Sequence, residues 1–337
     1  MQRYLKKVIN GENLSETEAE EAMEIIMEGK ATPAQIGAVL TALKLKGETT
    51  AEITGFARSM RRHAEGFDTG EYVVDTCGTG GDQAGTFNIS TVAAFVVAGA
   101  GVPVAKHGNR SVSSKCGSAD VLEQLGVRID LNPEQAARCL QKTGMTFLFA
   151  PAFHKATKHA VGPRKELGVR TIFNVLGPLT NPVRAKAQLL GVFEPELTEP
   201  LAGVLNALGS KRAFVVHGSD GLDEITITGP SRVTELNAGF IHTYDFDPRQ
   251  MGMGLGTPED LAGGRPEENA EILLNILRGE KGPRRDVVVL NAAFALLASG
   301  RKPSLEDAAI AAGKSLDSGY AARKLTELIN FTGSYAL

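Results

Sequence analysis

Two loops in this chain collect the residue types that hold polyanions. The first is Asp75-Thr76-Cys77-Gly78-Thr79-Gly80-Gly81-Asp82, followed by Thr86-Phe87-Asn88-Ile89-Ser90-Thr91. Its glycines let backbone N–H groups approach an anion closely, and a helix beginning near Ser90 would aim its positive end at the same point. Thr86, Asn88, Ser90 and Thr91 add short polar side chains. Such a cradle suits a phosphate or pyrophosphate; the plainer alternative is a tight glycine turn with ordinary helix capping. The second loop is Lys106-His107-Gly108-Asn109-Arg110-Ser111-Val112-Ser113-Ser114. Lys106 and Arg110 are cationic donors, Ser111, Ser113 and Ser114 bring hydroxyls, and Gly108 lets the backbone pass close by. Gly117-Ser118 then opens a further helix. The plainer alternative, and the lesser one, is a solvated basic segment. Following two adjacent strands, the two loops together point to a sugar phosphate carrying several charges.

A third feature is Asp223-Glu224, just ahead of Ile225-Thr226-Ile227. Adjacent carboxylates usually face solvent, but they are also the hard oxygen ligands that magnesium takes together with substrate phosphates. A diphosphate cradle with few cations needs such a metal to balance it. Two apparent motifs fail. Gln83 stands where a dinucleotide fingerprint requires glycine, and Ala308 to Ser315 lacks the first glycine and the preceding strand of a P-loop. Cys77, Cys116 and Cys139 form no CxxC pair, and His154 and His159 are five apart, so neither a disulfide framework nor a zinc site is expected.

These loops need elements to position them. The first 65 or so residues read as helices: Ser15 with Glu18 as a capping box, Thr32-Pro33 opening a helix that Gly47 closes, and a third from Thr50. From Tyr72 strands and helices alternate. Strands are expected at 72–75, 102–105, 127–129, 146–149, 188–192 and 213–217, with 224–228 and 232–236 as an antiparallel pair. Helices are expected at 90–101, 118–125 and 133–142, and again from Pro266 onward. This pattern implies an α/β body with a central, mostly parallel sheet flanked by helices, here residues 70–337, joined to a small helical N-terminal domain of residues 1–65. Residues 164–181, punctuated by Pro163, Pro178 and Pro182, read as an irregular connection that returns to the helical module and lines the cleft.

Composition bounds the rest. The sequence has 337 residues, 42% hydrophobic and 22% charged, with a net charge of −3. That balance disfavours a nucleic-acid partner, no apolar run is long enough to span a bilayer, and no signal peptide is expected. A cytoplasmic protein that stays off membranes is the expectation.

The segment from Asp75 to Glu123, with Gly162-Pro163-Arg164, Phe173 to Pro182 and Gly221-Leu222-Asp223-Glu224, resembles the anthranilate phosphoribosyltransferases along nearly the whole chain. The resemblance implies transfer of a phosphoribosyl group from phosphoribosyl pyrophosphate to anthranilate, with Mg2+, by a homodimer whose active site lies between the two domains. Gly78, Gly81, Asp82, Thr86, Asn88, Ile89, Ser90, Thr91, the loop Lys106 to Ser114 and Ser118 would hold phosphoribosyl pyrophosphate. Gly78, Asn109 and Arg164 would contact anthranilate, with His107 helping to shape that aromatic site. Ser90, Asp223 and Glu224 would bind magnesium. No nucleophile–His–Asp triad is expected. Pyrimidine nucleoside phosphorylases resemble the same fold and are the nearest rival.

Overall fold

The computed structural model describes residues 1–70, 72–82, 84–111 and 115–335; Gln83, Val112, Ser113 and Ser114 lie outside the described residues. The chain opens with helices α1 (Gln2–Ile9), α2 (Glu16–Met27), α3 (Pro33–Lys46) and α4 (Thr50–His63). Reciprocal capping boxes start three of them: Ser15 with Glu18, Thr32 with Gln35, and Thr49 with Glu52. Each satisfies two backbone N–H groups that the first turn leaves unpaired, which fixes the frame of the helix. α2 and α4 cross closely at Gly55, where a Cβ would stand 2.8 Å from the Glu20 backbone nitrogen.

The body is a seven-stranded sheet of β1 (Val74–Gly78), β2 (Val104–Gly108), β3 (Met145–Phe149), β4 (Ala187–Gly191), β5 (Arg212–Gly218), β6 (Ser231–Asn237) and β7 (Phe240–Phe246). Their order is β3-β2-β1-β4-β5-β6-β7, parallel through β5 and antiparallel at β6 and β7. Helices α5 (Ile89–Gly99), α6 (Ser118–Gln124), α7 (Pro133–Thr143) and α8 (Ala150–Phe153) connect the first strands. Then come α9 (Lys158–Leu167), α10 (Phe173–Leu179) and α11 (Thr198–Ala207), and after the sheet α12 (Pro266–Leu277), α13 (Pro283–Ala298), α14 (Leu305–Asp317) and α15 (Tyr320–Gly333).

Strand alternation divides the apolar residues between two cores. Leu189, Phe214 and Val216 face α5 and α13 in one; Leu190, Val192, Ala213 and Val215 face the other way, into a core continuous with α1 to α4, α10 and α11. The buried Arg61 of α4 stitches the second core, donating from Nε to the Leu179 carbonyl (2.7 Å) and from Nη1 to the Leu208 carbonyl (3.1 Å).

The structure corrects the sequence reading in four places. α1 was not anticipated. Residues 127–129 form no strand: Val127 and Ile129 are buried, and Arg128 N donates to Thr332 Oγ1 of α15 instead of to a neighbouring strand. Residues 224–228 are a loop, and β6 pairs with β7 through a turn at Ala238 and Gly239, both at positive φ. Residues 164–181 are largely helical, with Pro163 inside α9 and Pro178 inside α10. Burial of Pro163 and Pro178 in packed structure holds these short helices despite the backbone bonds the prolines cannot make.

Candidate active site

β1, β2 and β4 each end on glycine, at Gly78, Gly108 and Gly191, which lie together at the carboxyl edge of the parallel sheet. That edge is where open α/β sheets bind ligands. Gly78 and Gly191 are register partners, and both back onto Asp223. A Cβ on Gly78 would meet the Asp223 carboxylate, and one on Gly191 would meet the Asp223 backbone carbonyl. Glycine is therefore required there by close approach.

The loop after β5 delivers the acidic pair to both halves of the first cradle. Asp223 Oδ2 accepts from Gly80 N (2.7 Å), and Glu224 Oε1 accepts from Ser90 N (3.0 Å) in the first turn of α5. Asn291 of α13 fixes this loop from behind. Its Oδ1 accepts from Ile225 N (3.0 Å), and its Nδ2 donates to the carbonyls of Ile225 and Val287 (2.8 Å each). Asn291→Leu keeps the volume and leaves the buried Ile225 amide and carbonyl unpaired. We expect it to cost about 2–4 kcal/mol in denaturant unfolding. An unchanged unfolding free energy would refute the clamp.

Burial holds the Asp223 carboxyl well above the usual carboxylate range, and the neighbouring Asp82 pushes it further. Glu224 is raised by burial and then by Asp223. The buried Lys106 offsets part of this charge from beneath, donating to the Thr76 carbonyl and to Ser90 Oγ (3.3 Å). Its own pKa is lowered by burial. Lys106 thus stands as a pillar under Ser90, not as a side chain reaching outward.

The remaining members of the two loops divide by what they touch. Asn88 ties the loops together, donating to the Cys116 carbonyl (3.1 Å) and accepting from Asn269 (3.0 Å). Arg110 is held by Asp120 and Glu123, away from the glycine turn. Asp120 also accepts from Ser111 N (3.0 Å) and Gly117 N (2.8 Å), folding the second loop back onto the start of α6. Ser118 Oγ donates to the Asn109 carbonyl (3.3 Å), and Asn109 itself is exposed. Gly81 and Asp82 sit half-buried in the turn, Thr86 pairs with Ala262, and the buried Thr91 hydroxyl has no partner among the described residues. Ile89 is core.

His107 is buried beside His154, ring centroids 5.1 Å apart, and the Nε2 of each is buried without a partner among the described residues. Burial drives the His107 pKa well below its usual value and that of His154 down to about 4, so both rings are neutral at pH 7. The backbone at Gly177 and Thr180 opposes this by hydrogen bonding to the rings, which brings the α10 segment against them. His107 is further fixed through its backbone N–H to Asp75 Oδ1 (3.1 Å), while Asp75 Oδ2 accepts from Asn181 (2.8 Å). Arg164 of α9 is half-buried over Phe173 (4.7 Å to the ring centroid), with no hydrogen bond from its side chain among the described residues.

In the sequence His154, Asn291 and Arg170 carry no site role, and Asn181 enters only as part of the Phe173 to Pro182 stretch. Spacing marks His154 only against His159, and the partners that place the two asparagines across the fold, Asp75 and Ala105 for Asn181 and Ile225 for Asn291, lie 66 to 106 residues away. Arg170, in the short connection between α9 and α10, lies over the Phe193 ring (4.4 Å from its centroid) and against Gly81.

With this geometry in view, the class follows from likeness. Residues 2–64 match the glycosyl transferase family, helical bundle domain, and residues 70–322 match the glycosyl transferase family, a/b domain. Within that class the relatives are specific. An anthranilate phosphoribosyltransferase of Moorella thermoacetica is 60% identical over 337 residues, covering 100% of this chain and 99% of the relative. That of Acetivibrio thermocellus is 56% identical, covering 99% and 97%. Among solved structures, anthranilate phosphoribosyltransferase from Thermus thermophilus superposes with a TM-score of 0.93 at 45% identity, covering 98% of this chain and 99% of that one. The Saccharomyces cerevisiae enzyme in complex with PRPP and Mg gives 0.89 at 30% identity, covering 99% and 98%. The chain belongs to the anthranilate phosphoribosyltransferases.

Proposed function

We propose that the glycine turn, the start of α5 and the Asp223-Glu224 loop together hold the diphosphate of phosphoribosyl pyrophosphate. The chain transfers the 5-phosphoribosyl group to anthranilate, giving N-(5-phosphoribosyl)anthranilate and pyrophosphate in tryptophan biosynthesis. The observation that carries the site is the double link of the acidic pair, Asp223 to Gly80 and Glu224 to Ser90, which makes one surface of three separate segments.

Mg2+ is the cofactor, and the donor set suits it. Asp223, Glu224 and Ser90 offer hard oxygens, and both carboxyls are raised by burial, as expected where a cation completes the charge balance. When bound, Mg2+ supplies charge neutralisation on the diphosphate. The protein's part is to orient. Gly78, Gly81, Asp82, Thr86, Ser90 and Thr91 line the diphosphate side, and Gly108, Asn109, Ser111 and Ser118 the sugar-phosphate side. Asn88, Ile89, Lys106 and Arg110 support these loops. Arg164 faces the anthranilate carboxylate, with Gly78, Asn109 and the neutral rings of His107 and His154 around the aromatic body. An arylamine is nucleophilic without a strong base, so orientation and leaving-group stabilisation carry the rate.

Loss of anthranilate fluorescence on mixing protein, anthranilate, phosphoribosyl pyrophosphate and Mg2+ tests this, with EDTA as control. Decay that needs every component is expected. Phosphate-dependent cleavage of thymidine or uridine in its place would move the assignment to a phosphorylase.

The helical module, 1–65 completed by 163–182, is a natural unit of motion against residues 70–337, and we place the reaction in the cleft between them. A homodimer is the assembly we infer. α1 and α3 leave a groove of about 550 Å3, lined by Ile9, Gly37, Ala38, Thr41 and Leu45, with small residues that allow close helix approach. Leu45 is 84% exposed and Ile9 63%, with Val161 of α9 also exposed. Leu45→Glu is expected to shift sedimentation from dimer to monomer, and a parent that sediments as a monomer would refute the assembly. Among the described residues no helix is long and apolar enough to cross a membrane, and a biosynthetic role on soluble substrates favours the cytoplasm.

A further inference from the structure

We propose that Arg170 is a leaving-group residue, a guanidinium presented to the diphosphate across the Gly81 turn. This rests on the assignment of that turn to a diphosphate made above.

The guanidinium is placed by shape, not by a salt bridge. One face lies over the Phe193 ring, 4.4 Å from the centroid. Against Gly81, a Cβ would stand 2.8 Å from Nη2, 3.0 Å from Cζ and 3.1 Å from Nε, nearly equidistant, so the planar group lies flat against the glycine. Gly81 is at φ +80° and also serves the turn, so glycine meets two demands there. These two contacts hold the guanidinium in place and leave its N–H groups unspent. Arg170 is half-buried, and among the described residues its side chain makes no hydrogen bond and no ion pair.

The neighbouring cations are committed elsewhere. Lys106 donates to the Thr76 carbonyl and Ser90 Oγ beneath the loop, and Arg110 is paired with Asp120 and Glu123. Three carboxylates, Asp82, Asp223 and Glu224, share this edge of the sheet, the last two hydrogen-bonded to the Gly80 and Ser90 amides. A diphosphate arriving there needs a fixed cation that is not already neutralised, with the forked donors that match phosphate oxygens. Arg170 is so placed.

Its position also gives it a second consequence. Arg170 stands two residues before Ile172 and three before Phe173, both buried in the core shared with α1 to α4. The cation therefore reaches the α/β loop from a segment anchored in the helical module. As the ribose C1–O bond breaks, its electron pair passes to the diphosphate. The arylamine lone pair forms the C1–N bond, and the nitrogen then releases one proton to water. Arg170 stays protonated throughout and stabilises the charge that accumulates on the departing oxygen, a contribution that grows toward the transition state.

The test compares the parent with Arg170→Gln and Arg170→Lys in the anthranilate fluorescence assay and in calorimetric titration with inorganic pyrophosphate plus Mg2+. We expect kcat/KM for phosphoribosyl pyrophosphate to fall about 100-fold in Arg170→Gln, pyrophosphate affinity to fall about tenfold, and the KM for anthranilate to stay within about threefold. Arg170→Lys keeps the charge without the fork and should recover part of both losses. Pyrophosphate affinity equal to the parent's in both variants overturns the proposal and leaves Arg170 a wedge under the loop. A parent that neither consumes anthranilate nor binds pyrophosphate overturns the functional assignment itself, which separates the two failures.

Discussion

Asp223→Asn combined with Glu224→Gln is expected to lower turnover about 10²–10³-fold and to raise the magnesium needed for half-maximal rate more than tenfold, with the fold intact. The amides are close in shape to the acids and can still accept from Gly80 N and Ser90 N, so the loop keeps its two anchors. What they lose is charge. In the parent, both carboxyls are held above their usual range by burial, so the metal-free protein carries an unfavourable pair that a cation relieves. Neutral amides remove that strain and the attraction for the cation together. The metal-free variant should therefore unfold at a temperature equal to or above that of the metal-free parent, while its Mg2+-induced thermal shift disappears. Initial rates against free Mg2+, with thermal unfolding in EDTA and in excess Mg2+, measure all three quantities. A variant with the parent's metal dependence would remove Asp223 and Glu224 from the metal site.

Gly191→Ala should be nearly as damaging, although it adds only a methyl group and no charge. The new Cβ would overlap the Asp223 carbonyl, at covalent distance from its oxygen and 3.1 Å from its Cα. The obstacle is backbone, so no side-chain rotation relieves it. The loop must shift by an ångström or more, and displacement of a ligand by that amount costs about 10²-fold in rate. Gly78→Ala is the informative neighbour, because its Cβ meets the Asp223 carboxylate, which can swing aside at the cost of the bond to Gly80. Its rate loss should be smaller. Gly254→Ala, where a Cβ meets nothing within 4 Å, is the control. Assay and thermal unfolding of the three variants decide the matter, and a Gly191→Ala enzyme with parental rate would show that the loop is free to move.

The loops were legible in sequence because their chemistry is local. Glycines, short polar residues and a following helix are contiguous from Asp75 to Thr91, and a buried strand before each loop sets its direction. The capping box of Ser15 and Glu18 was legible for the same reason, since four consecutive residues define one, whereas the boxes of Thr32 with Gln35 and Thr49 with Glu52 went unread. What stayed hidden depends on distant partners. A buried Asn291 looks like any polar residue in an apolar helix until Ile225 is placed against it. The cationic roles given to Lys106 and Arg110 shifted because sequence shows charge but not direction: one amine turns under the sheet edge and the other guanidinium turns to α6. Residues 224–228 have strand-like side chains, yet the β7 segment, with its own alternation and a turn at Ala238-Gly239, competes better for β6. The prolines at 163 and 178 read as breakers, and tertiary packing overrode them.

The second core joins α1 to α4, α10 and α11 to one face of β4 and β5 without an apolar break. Neither side can expose its surface without stripping the other, since Leu190, Val192, Ala213 and Val215 find their cover in these helices. Heating should then produce one calorimetric peak, with van't Hoff and calorimetric enthalpies in agreement, instead of separate melting of bundle and sheet. A proteolytic fragment holding only the helical bundle would be left with an uncovered apolar face and would be prone to aggregate. Any movement of the bundle against the sheet must accordingly be small-amplitude sliding over a surface that stays buried, so the same interface sets both heat tolerance and flexibility.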